Sequence, residues 1–168
     1  SGQSQEFENL VGGNLYEITE KIKDSEVKSS TPVSKASFTL NPSLSATRHK
    51  EIIFDDFEKQ PLLPNKLSQL GPGMAVGDLD GDNDDDLIMG GGAGSPTQVI
   101  INKGNGNFAS PTPIKGSEQY EDMGVLLMDF DQDNDLDLFC VSGGVESSGP
   151  ALQDRLYIND GNGNFSLN

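Results

Sequence analysis

The sequence of 168 residues contains one cysteine, one histidine and no long apolar segment, and each shortage excludes a class of protein. A single cysteine cannot form an intrachain disulfide. Cys140 lies in the apolar run 138–141, which predicts a buried, unreactive side chain. His49 has no second histidine or cysteine nearby, so we expect a hydrogen-bonding role and not a zinc site. No run of eighteen apolar residues is present, so no segment is predicted to span a membrane.

Basic residues are also scarce. Eleven Lys and Arg face 27 Asp and Glu, which gives a formal net charge of −16. Without a Lys/Arg patch to displace counterions from phosphates, nucleic acid is excluded as an expected partner. Eleven of the 27 acidic residues lie in two nine-residue segments, and without them the net charge would be −5. The acidity is therefore concentrated at two places in the chain.

The two acidic segments share one pattern. Residues 78–86 read Asp-Leu-Asp-Gly-Asp-Asn-Asp-Asp-Asp, and residues 129–137 read Asp-Phe-Asp-Gln-Asp-Asn-Asp-Leu-Asp. Both carry a carboxylate at positions 1, 3, 5, 7 and 9, and both are followed by an apolar run. So many like charges in one turn repel one another unless a cation neutralises them, and Ca²⁺ accepts six to eight oxygen ligands with flexible geometry. The pattern predicts two calcium sites in preference to two solvated acidic turns.

The residue at each loop position indicates how such a site would be built. Side chains at positions 1, 3, 5 and 9 can converge on one cation, and position 7 is expected to offer its backbone carbonyl. An EF-hand would require glycine at position 6 and glutamate at position 12. Here position 6 is Asn83 or Asn134, which we expect in a left-handed turn, and position 12 is Met89 or Cys140. The EF-hand is rejected, and Asp85, outside the register, is expected to be exposed.

The acidic loops belong to a longer repeat of four elements. Apolar runs at 74–77 and 124–128 lead into the loops, and runs at 87–90 and 138–141 leave them. Further runs at 98–102 and 155–159 precede Gly-Asn-Gly turns, which are typical of hairpins. The second copy is six residues longer, in the loop after its second run. Four short strands in about fifty residues predict one β-propeller blade, so the fold is predicted to be all-β with four-stranded antiparallel blades.

The chain before the repeats is less regular. Residues 1–45 are interpreted as an N-terminal extension or linker, with one apolar segment at 14–22, and residues 46–168 as the blade region. The run 52–54 is expected to form a short strand, and prolines 61 and 64 are expected to exclude a regular helix from this part. Gly91-Gly-Ala-Gly94 is expected to be a loop, because no helix follows that could bind phosphate.

Residues 77–87 and 129–138, which contain the two loops, resemble the calcium loops of FG-GAP and VCBS repeats, which form the blades of integrin α-subunit propellers and of many bacterial secreted proteins. Residues 61–73 and 153–161 further resemble bacterial surface proteins whose blades accompany an ASPIC/UnbV domain. The resemblance covers roughly residues 47–168. It implies an incomplete propeller, two bound Ca²⁺ ions and an extracellular or cell-surface location, in which the protein is secreted or is lipid-anchored before processing. The implied ligands are Asp78, Asp80, Asp82, Asp84 and Asp86, and Asp129, Asp131, Asp133, Asp135 and Asp137.

These observations favour a non-catalytic segment for protein or glycan binding, adhesion or surface-complex assembly. The open blade edges would be covered by further blades of a parent propeller or by another subunit. The alternative is part of a calcium-dependent carbohydrate-active enzyme, but the sequence has no nucleophile elbow and no Cys/His pair. Glu121 and Asp122 are the remaining acid/base candidates, and both are expected to be solvated.

Overall fold

The computed structural model describes residues 38–168, and these residues form two four-stranded antiparallel sheets. The first sheet comprises β1 (Met74–Gly77), β2 (Asp86–Met89), β3 (Gln98–Ile100) and β4 (Thr112–Pro113). The second sheet comprises β5 (Asp122–Met128), β6 (Asp137–Ser142), β7 (Arg155–Asn159) and β8 (Phe165–Leu167). In each sheet the strands pair in chain order, and the two sheets do not close into a ring. The predicted all-β architecture of propeller-type blades in an incomplete propeller is confirmed.

Helical structure is confined to single turns. One α-helical turn, α1 (Asp56–Lys59), is capped by the Asp55 side chain, which accepts a hydrogen bond from the Phe57 N–H. The turn ends before Pro61, as expected from the prolines. Three 3-10 turns complete the described part of the chain, at Pro42–Leu44, Ser117–Gln119 and Gly149–Leu152. The predicted apolar segment 14–22 and most of the predicted extension 1–45 lie outside the described residues.

The predicted strand at 52–54 is wrong. These residues pair with no strand in the described part of the chain, and the Ile53 side chain is fully exposed. Two of their carbonyl groups instead accept hydrogen bonds from side chains. The Ile52 carbonyl accepts from Gln69 Nε2 at 3.1 Å, and the Phe54 carbonyl accepts from Lys66 Nζ at 3.3 Å. This apolar triplet forms no strand, because the side chains of Gln69 and Lys66 donate the hydrogen bonds that a neighbouring strand would otherwise donate.

The last strand also differs between the sheets. In the second sheet, β8 directly follows the Gly-Asn-Gly turn, as the repeat predicts. In the first sheet that hairpin is reduced to one bridge between Asn102 and Phe108, and β4 begins four residues later. Proline 111 lacks the N–H that a continuous ladder requires. The Phe108 N–H is directed to Ser43 Oγ at 3.1 Å, so residues from before the repeats occupy part of this edge.

The main hydrophobic core lies between the two sheets. Alternate residues of β2 and β3, including Ile88 and Val99, meet Leu138, Cys140 and Tyr157 of the second sheet. The predicted burial of Cys140 is confirmed. Burial, with the nearby Asp122 carboxylate as a smaller cause, raises the pKa of its thiol to about 12, so the thiol stays protonated and unreactive.

The innermost strands β1 and β5 lie close together because glycines line their contact. A Cβ atom on Gly77 would lie 2.7 Å from Leu136 Cδ1, and one on Gly73 would lie 3.1 Å from the Gly124 Cα. Both distances are shorter than ordinary van der Waals contact. The glycines thus set how near the two sheets approach, and the acidic loops that leave β1 and β5 are placed at the same end of the two sheets.

Candidate metal centre

Each acidic loop is folded around its first aspartate. Asp78 accepts hydrogen bonds from the backbone N–H groups of Gly81 at 2.8 Å and Asn83 at 2.9 Å. Asp129 accepts the equivalent bonds from Gln132 at 2.7 Å and Asn134 at 3.3 Å. The two loops, 51 positions apart in the sequence, therefore reach the same local geometry.

Left-handed backbone at two positions gives the loops their shape. Asn83 and Asn134, at position 6, have φ of 68° and 77°, as their residue type predicts. Position 4 is also left-handed, with φ of 77° at Gly81 and 67° at Gln132. Because two such residues reverse the chain sharply, successive aspartates can point to the same side of the loop.

The carboxylates that the structure brings together are a subset of the predicted ten. One oxygen each of Asp78, Asp80 and Asp82 lie within 4.8 Å of one another in the first loop. In the second loop the group comprises Asp129, Asp131 and Asp137, so its third member is at position 9 and not at position 5. The remaining four candidates, which are outside these groups, are Asp84, Asp86, Asp133 and Asp135. The exposure expected for Asp85 is confirmed.

The last aspartate of each loop is buried and ties the loop to the third strand of its sheet. Asp86 accepts hydrogen bonds from the N–H groups of Leu79 at 2.8 Å and Asn102 at 2.7 Å. Asp137 accepts from Phe130 and Asn159, both at 2.9 Å. Each of these carboxylate oxygens already has one donor, and its remaining lone pair could still face a cation.

Asparagine is the last residue of the third apolar run in both repeats, at Asn102 and Asn159, and its side chain supports the acidic loop. The sequence alone did not indicate this role. Asn102 Nδ2 donates to the Asp85 carbonyl at 3.1 Å, and Asn159 Nδ2 donates to the Leu136 carbonyl at 3.2 Å. Both carbonyls belong to position 8 of their loop. Asn159 Nδ2 also donates to the Leu79 carbonyl at 2.9 Å, which connects the two loops. The recurrence of Asn before both Gly-Asn-Gly turns was the available signal.

The electrostatics of the loops show the crowding expected from the sequence. Burial, then repulsion from Asp133, raises the pKa of the Asp135 carboxyl to about 6. Burial is also the main cause of a raised pKa at Asp131, and repulsion from Asp133 and Asp137 adds to it. In the first loop, burial is the main cause of a raised pKa at Asp86, with smaller contributions from neighbouring carboxylates. Negative charge is therefore costly in both loops in the absence of a cation.

The donor set fits Ca²⁺. Every side-chain ligand available within the two clusters is a carboxylate oxygen, which a hard cation prefers. Within residues 38–168, Asp80 Oδ1 and Asp135 Oδ1 are buried and have no hydrogen-bond partner. Buried carboxylate oxygens are ordinarily bonded, so these two atoms are available to a metal ion, Asp80 as a member of the first cluster and Asp135 as a loop residue outside the second cluster.

A second polar site lies at the opposite end of the sheets. The expectation that Glu121 and Asp122 are solvated is wrong. Both side chains are only 2% exposed. Asp122 is paired with the guanidinium group of Arg155, which also donates to the Tyr157 hydroxyl at 3.0 Å. Residues far away in the sequence supply these partners, so the acidic pair could not be recognised as buried from its own neighbourhood.

The buried carboxylates at this end join the two sheets. Asp122 accepts from the Gly91 N–H at 2.8 Å and from Thr97 Oγ1 at 2.6 Å, both in the loop between β2 and β3. Glu121 accepts from the Ala93 N–H of the same loop at 2.6 Å. The glycine-rich segment 91–94 is a loop, as predicted, and its amides bind carboxylates of the second sheet.

His49 has the hydrogen-bonding role expected from the sequence. Its Nδ1 lies 3.1 Å from the Gly90 carbonyl and its Nε2 lies 2.5 Å from Glu51 Oε1. These contacts attach the segment before the repeats to the end of β2.

Among the described residues no helix is long and apolar enough to cross a membrane. No curated protein matches the sequence significantly. The family model of the FG-GAP-like repeat matches residues 78–140, from the first aspartate of the first loop to the middle of β6. The matched residues carry both acidic loops and the connection between the two sheets. Residues 78–140 of this protein are therefore an FG-GAP-like repeat, and the two sheets to which they contribute strands are blades of the propeller type.

Proposed function

We propose that this protein is a non-catalytic, calcium-stabilised β-propeller segment of an extracellular or cell-surface protein that binds protein or glycan partners. The observation that carries the proposal is the duplicated acidic loop. Two loops in the same register each gather three carboxylates within 4.8 Å, and each contains a buried carboxylate oxygen that lacks a partner within residues 38–168.

Calcium would act on the fold and not on a substrate. The loops join the first two strands of each blade, and their last aspartates hold the third strand. A cation in each loop would relieve the repulsion among the carboxylates and fix the turn. Sites of modest affinity, with Kd on the order of 10⁻⁴ to 10⁻³ M, suit the millimolar calcium outside cells. An extracellular or surface location, and kinship with the VCBS and ASPIC/UnbV-associated surface proteins, belong to this proposal.

The calcium proposal is tested by thermal unfolding with excess calcium and with chelator. At calcium about a hundredfold above Kd, each site would stabilise the fold by about 2.7 kcal/mol. For a domain of this size we expect the midpoint to rise by roughly 5–10 °C per site. The double variant Asp80→Asn plus Asp131→Asn should lose most of this gain, because each substitution removes a charged ligand from one cluster.

The matched control is Asp85→Asn, which removes the same charge from the exposed position 8 outside the cluster. It should keep the calcium response of the unsubstituted protein. An unchanged midpoint on chelation, or calcium binding by the double variant equal to that of the control, would contradict a structural calcium site.

An enzymatic function has less support. Glu121 is buried against the Ala93 amide, so its carboxyl group cannot reach a glycan at the surface. Asp122 is occupied by Arg155 and two further donors. Carboxylates that hold calcium are poor proton shuttles. The residues that sequence reasoning offered as acid/base candidates therefore favour binding over catalysis.

A further inference from the structure

A lysine lies beside one of the aspartates that gather in the first acidic loop. Lys103 Nζ is 3.7 Å from Asp80 Oδ2, and among residues 38–168 this is the one ion pair that involves an aspartate of either loop. Asp80 belongs to the first cluster, with Asp78 and Asp82. A positive charge is therefore already in place next to an oxygen that the proposed calcium site would use.

Backbone contacts on both sides fix the position of this lysine. The Asn102 N–H donates to Asp86 Oδ1 at 2.7 Å, so the residue before Lys103 is bound to the end of the same loop. The Lys103 N–H donates to the Asn107 carbonyl at 2.6 Å, which closes the Gly-Asn-Gly turn. The Lys103 backbone is thus held beside the first loop, and only its side chain, which is 58% exposed, can move away.

The two carboxylate oxygens of Asp80 have different surroundings. Oδ2 faces the Lys103 ammonium group, whereas Oδ1 is buried and has no hydrogen-bond partner within the described residues. Because the Asp80 side chain is only 18% exposed, water solvates its charge only in part. The Lys103 ammonium group therefore supplies part of the neutralisation that a bound cation would otherwise supply.

The second repeat carries the opposite charge at the equivalent position. Asp160 takes the place of Lys103, since both follow the asparagine that ends the third apolar run. The Asp160 carboxylate accepts hydrogen bonds within its own turn, from the Asn162 N–H and from Asn164 Nδ2, both at 3.0 Å. The first loop has six aspartates and this lysine, and the second has five aspartates and this further one, so the formal charges are −5 and −6. The second loop is thus the more negative of the two.

We propose that Lys103 competes with calcium for Asp80, so that the second loop binds calcium more tightly than the first. This inference rests on the proposed calcium function and assigns an order to its two sites. A cation at the first loop either displaces the ammonium group from Asp80 or is repelled by it, and both outcomes weaken binding. As calcium rises, the second loop fills first, and the first loop exchanges its lysine for calcium at a higher concentration.

Proteins with one intact loop separate the two affinities. Asp131→Asn removes a ligand of the second loop and leaves the first loop intact, whereas Asp80→Asn does the reverse. Isothermal titration calorimetry of the full chain with calcium, in about 0.1 M salt, then measures one Kd in each protein. We expect the Kd of the intact second loop to be at least about twofold lower than that of the intact first loop. An equal or lower Kd at the first loop would overturn the proposal.

Charge substitutions at Lys103 test the cause of this order. In the Asp131→Asn protein, Lys103→Gln should lower the Kd of the first loop by about two- to fivefold, and Lys103→Glu, which copies the charge of Asp160, should lower it further. Neither change should alter the Kd in the Asp80→Asn protein. Lys115→Gln, at an exposed lysine near the opposite end of β3, is the matched control and should leave both Kd values unchanged. A Kd of the first loop that is the same with all three residues at position 103 would overturn the proposal.

Hydrogen exchange in chelator tests the lysine without calcium. Lys103→Gln should speed exchange of the Gly81 and Asn83 amides, which donate to Asp78, by about two- to fivefold, and Lys115→Gln should not. Unchanged exchange would contradict the neutralising role of Lys103. Calcium binding that does not depend on Lys103 would contradict this inference alone. An unsubstituted chain that binds no calcium would contradict the proposed calcium function and this inference with it.

Discussion

Glu121 and Asp122 are adjacent carboxylates that are equally buried, but their negative charges are neutralised to different extents. Asp122 lies against the Arg155 guanidinium group. Glu121 accepts one amide hydrogen bond and faces two further carboxylates, Glu51 and Glu146, and His49 opposes their effect on its pKa. Burial, then repulsion by these carboxylates, raises the pKa of Glu121 to about 7. Glu121 is therefore a destabilising charge at neutral and higher pH.

The pH dependence of Glu121 has a defined sign. A carboxyl whose pKa is higher in the folded protein favours folding while it is protonated, and this contribution is lost as pH rises from about 4.5 to about 7. We expect Glu121→Gln to stabilise the protein at pH 8, by on the order of 2 kcal/mol, and to change stability little at pH 5. The glutamine oxygen can still accept the Ala93 N–H. Urea unfolding at both pH values measures the difference.

The matched control for this prediction is Glu118→Gln at an exposed glutamate nearby. It should shift stability by no more than about 0.5 kcal/mol at either pH. Equal effects of Glu121→Gln at pH 5 and pH 8 would show that the charge of Glu121 is not the cause.

The nine-residue loop is the element that recurs in both sheets. Its two copies adopt the same turn with different residues. Position 4 has positive φ in both, but it is glycine in the first loop and Gln132 in the second. A side chain on a left-handed residue costs roughly 1–2 kcal/mol, which glycine avoids. A Cβ on Gly81 would meet nothing within 4 Å, so only the backbone conformation distinguishes the two residues there.

Exchange at position 4 should therefore have opposite effects in the two loops. Gln132→Gly should raise the free energy of unfolding by up to about 1 kcal/mol, after the greater chain entropy of glycine in the unfolded state is subtracted. Gly81→Gln is the matched reverse change and should lower it by a similar amount. Chemical denaturation in chelator measures both without a contribution from calcium. Changes of the same sign in both variants would contradict the conformational argument.

At the scale of the whole molecule, the two sheets share one core. The residues buried between them come from both sheets, and Asn159 of the second sheet donates to the Leu79 carbonyl beside the first. Asp122 adds bonds to the loop of the first sheet at the other end. Neither sheet can therefore lose its structure without exposing the apolar face of the other.

We expect the two sheets to unfold in one transition. Ile88→Ala in the first sheet and Leu138→Ala in the second should each destabilise both sheets, by about 2–5 kcal/mol, because each leaves a cavity in the shared core. Hydrogen exchange of amides in β3 and β7 measures each sheet separately. Leu62→Ala, at an exposed side chain, should change neither. Faster exchange in only the substituted sheet would show that the blades are independently stable.

Much of the architecture was predictable because it depends on local chemistry. Apolar runs and the repeat of four elements predicted seven of the eight strands near their observed positions, and Asn83 and the Gly-Asn-Gly turns predicted left-handed backbone. The fourth strand of the first sheet was misplaced, since its position depends on Pro111 and on the contact of Phe108 with Ser43. The strand predicted at Ile52 was wrong because it requires a neighbour that only the tertiary structure could supply.

The sequence by itself determined the duplicated acidic loop, the four-strand period and the burial of Cys140, because charge spacing, turn residues and apolar runs act over a few neighbouring positions. Only the tertiary structure decided which aspartates come together and that Glu121 and Asp122 are buried. Those outcomes depend on pairs such as Asp122 with Arg155, whose residues are 33 positions apart and meet only when the blade is formed.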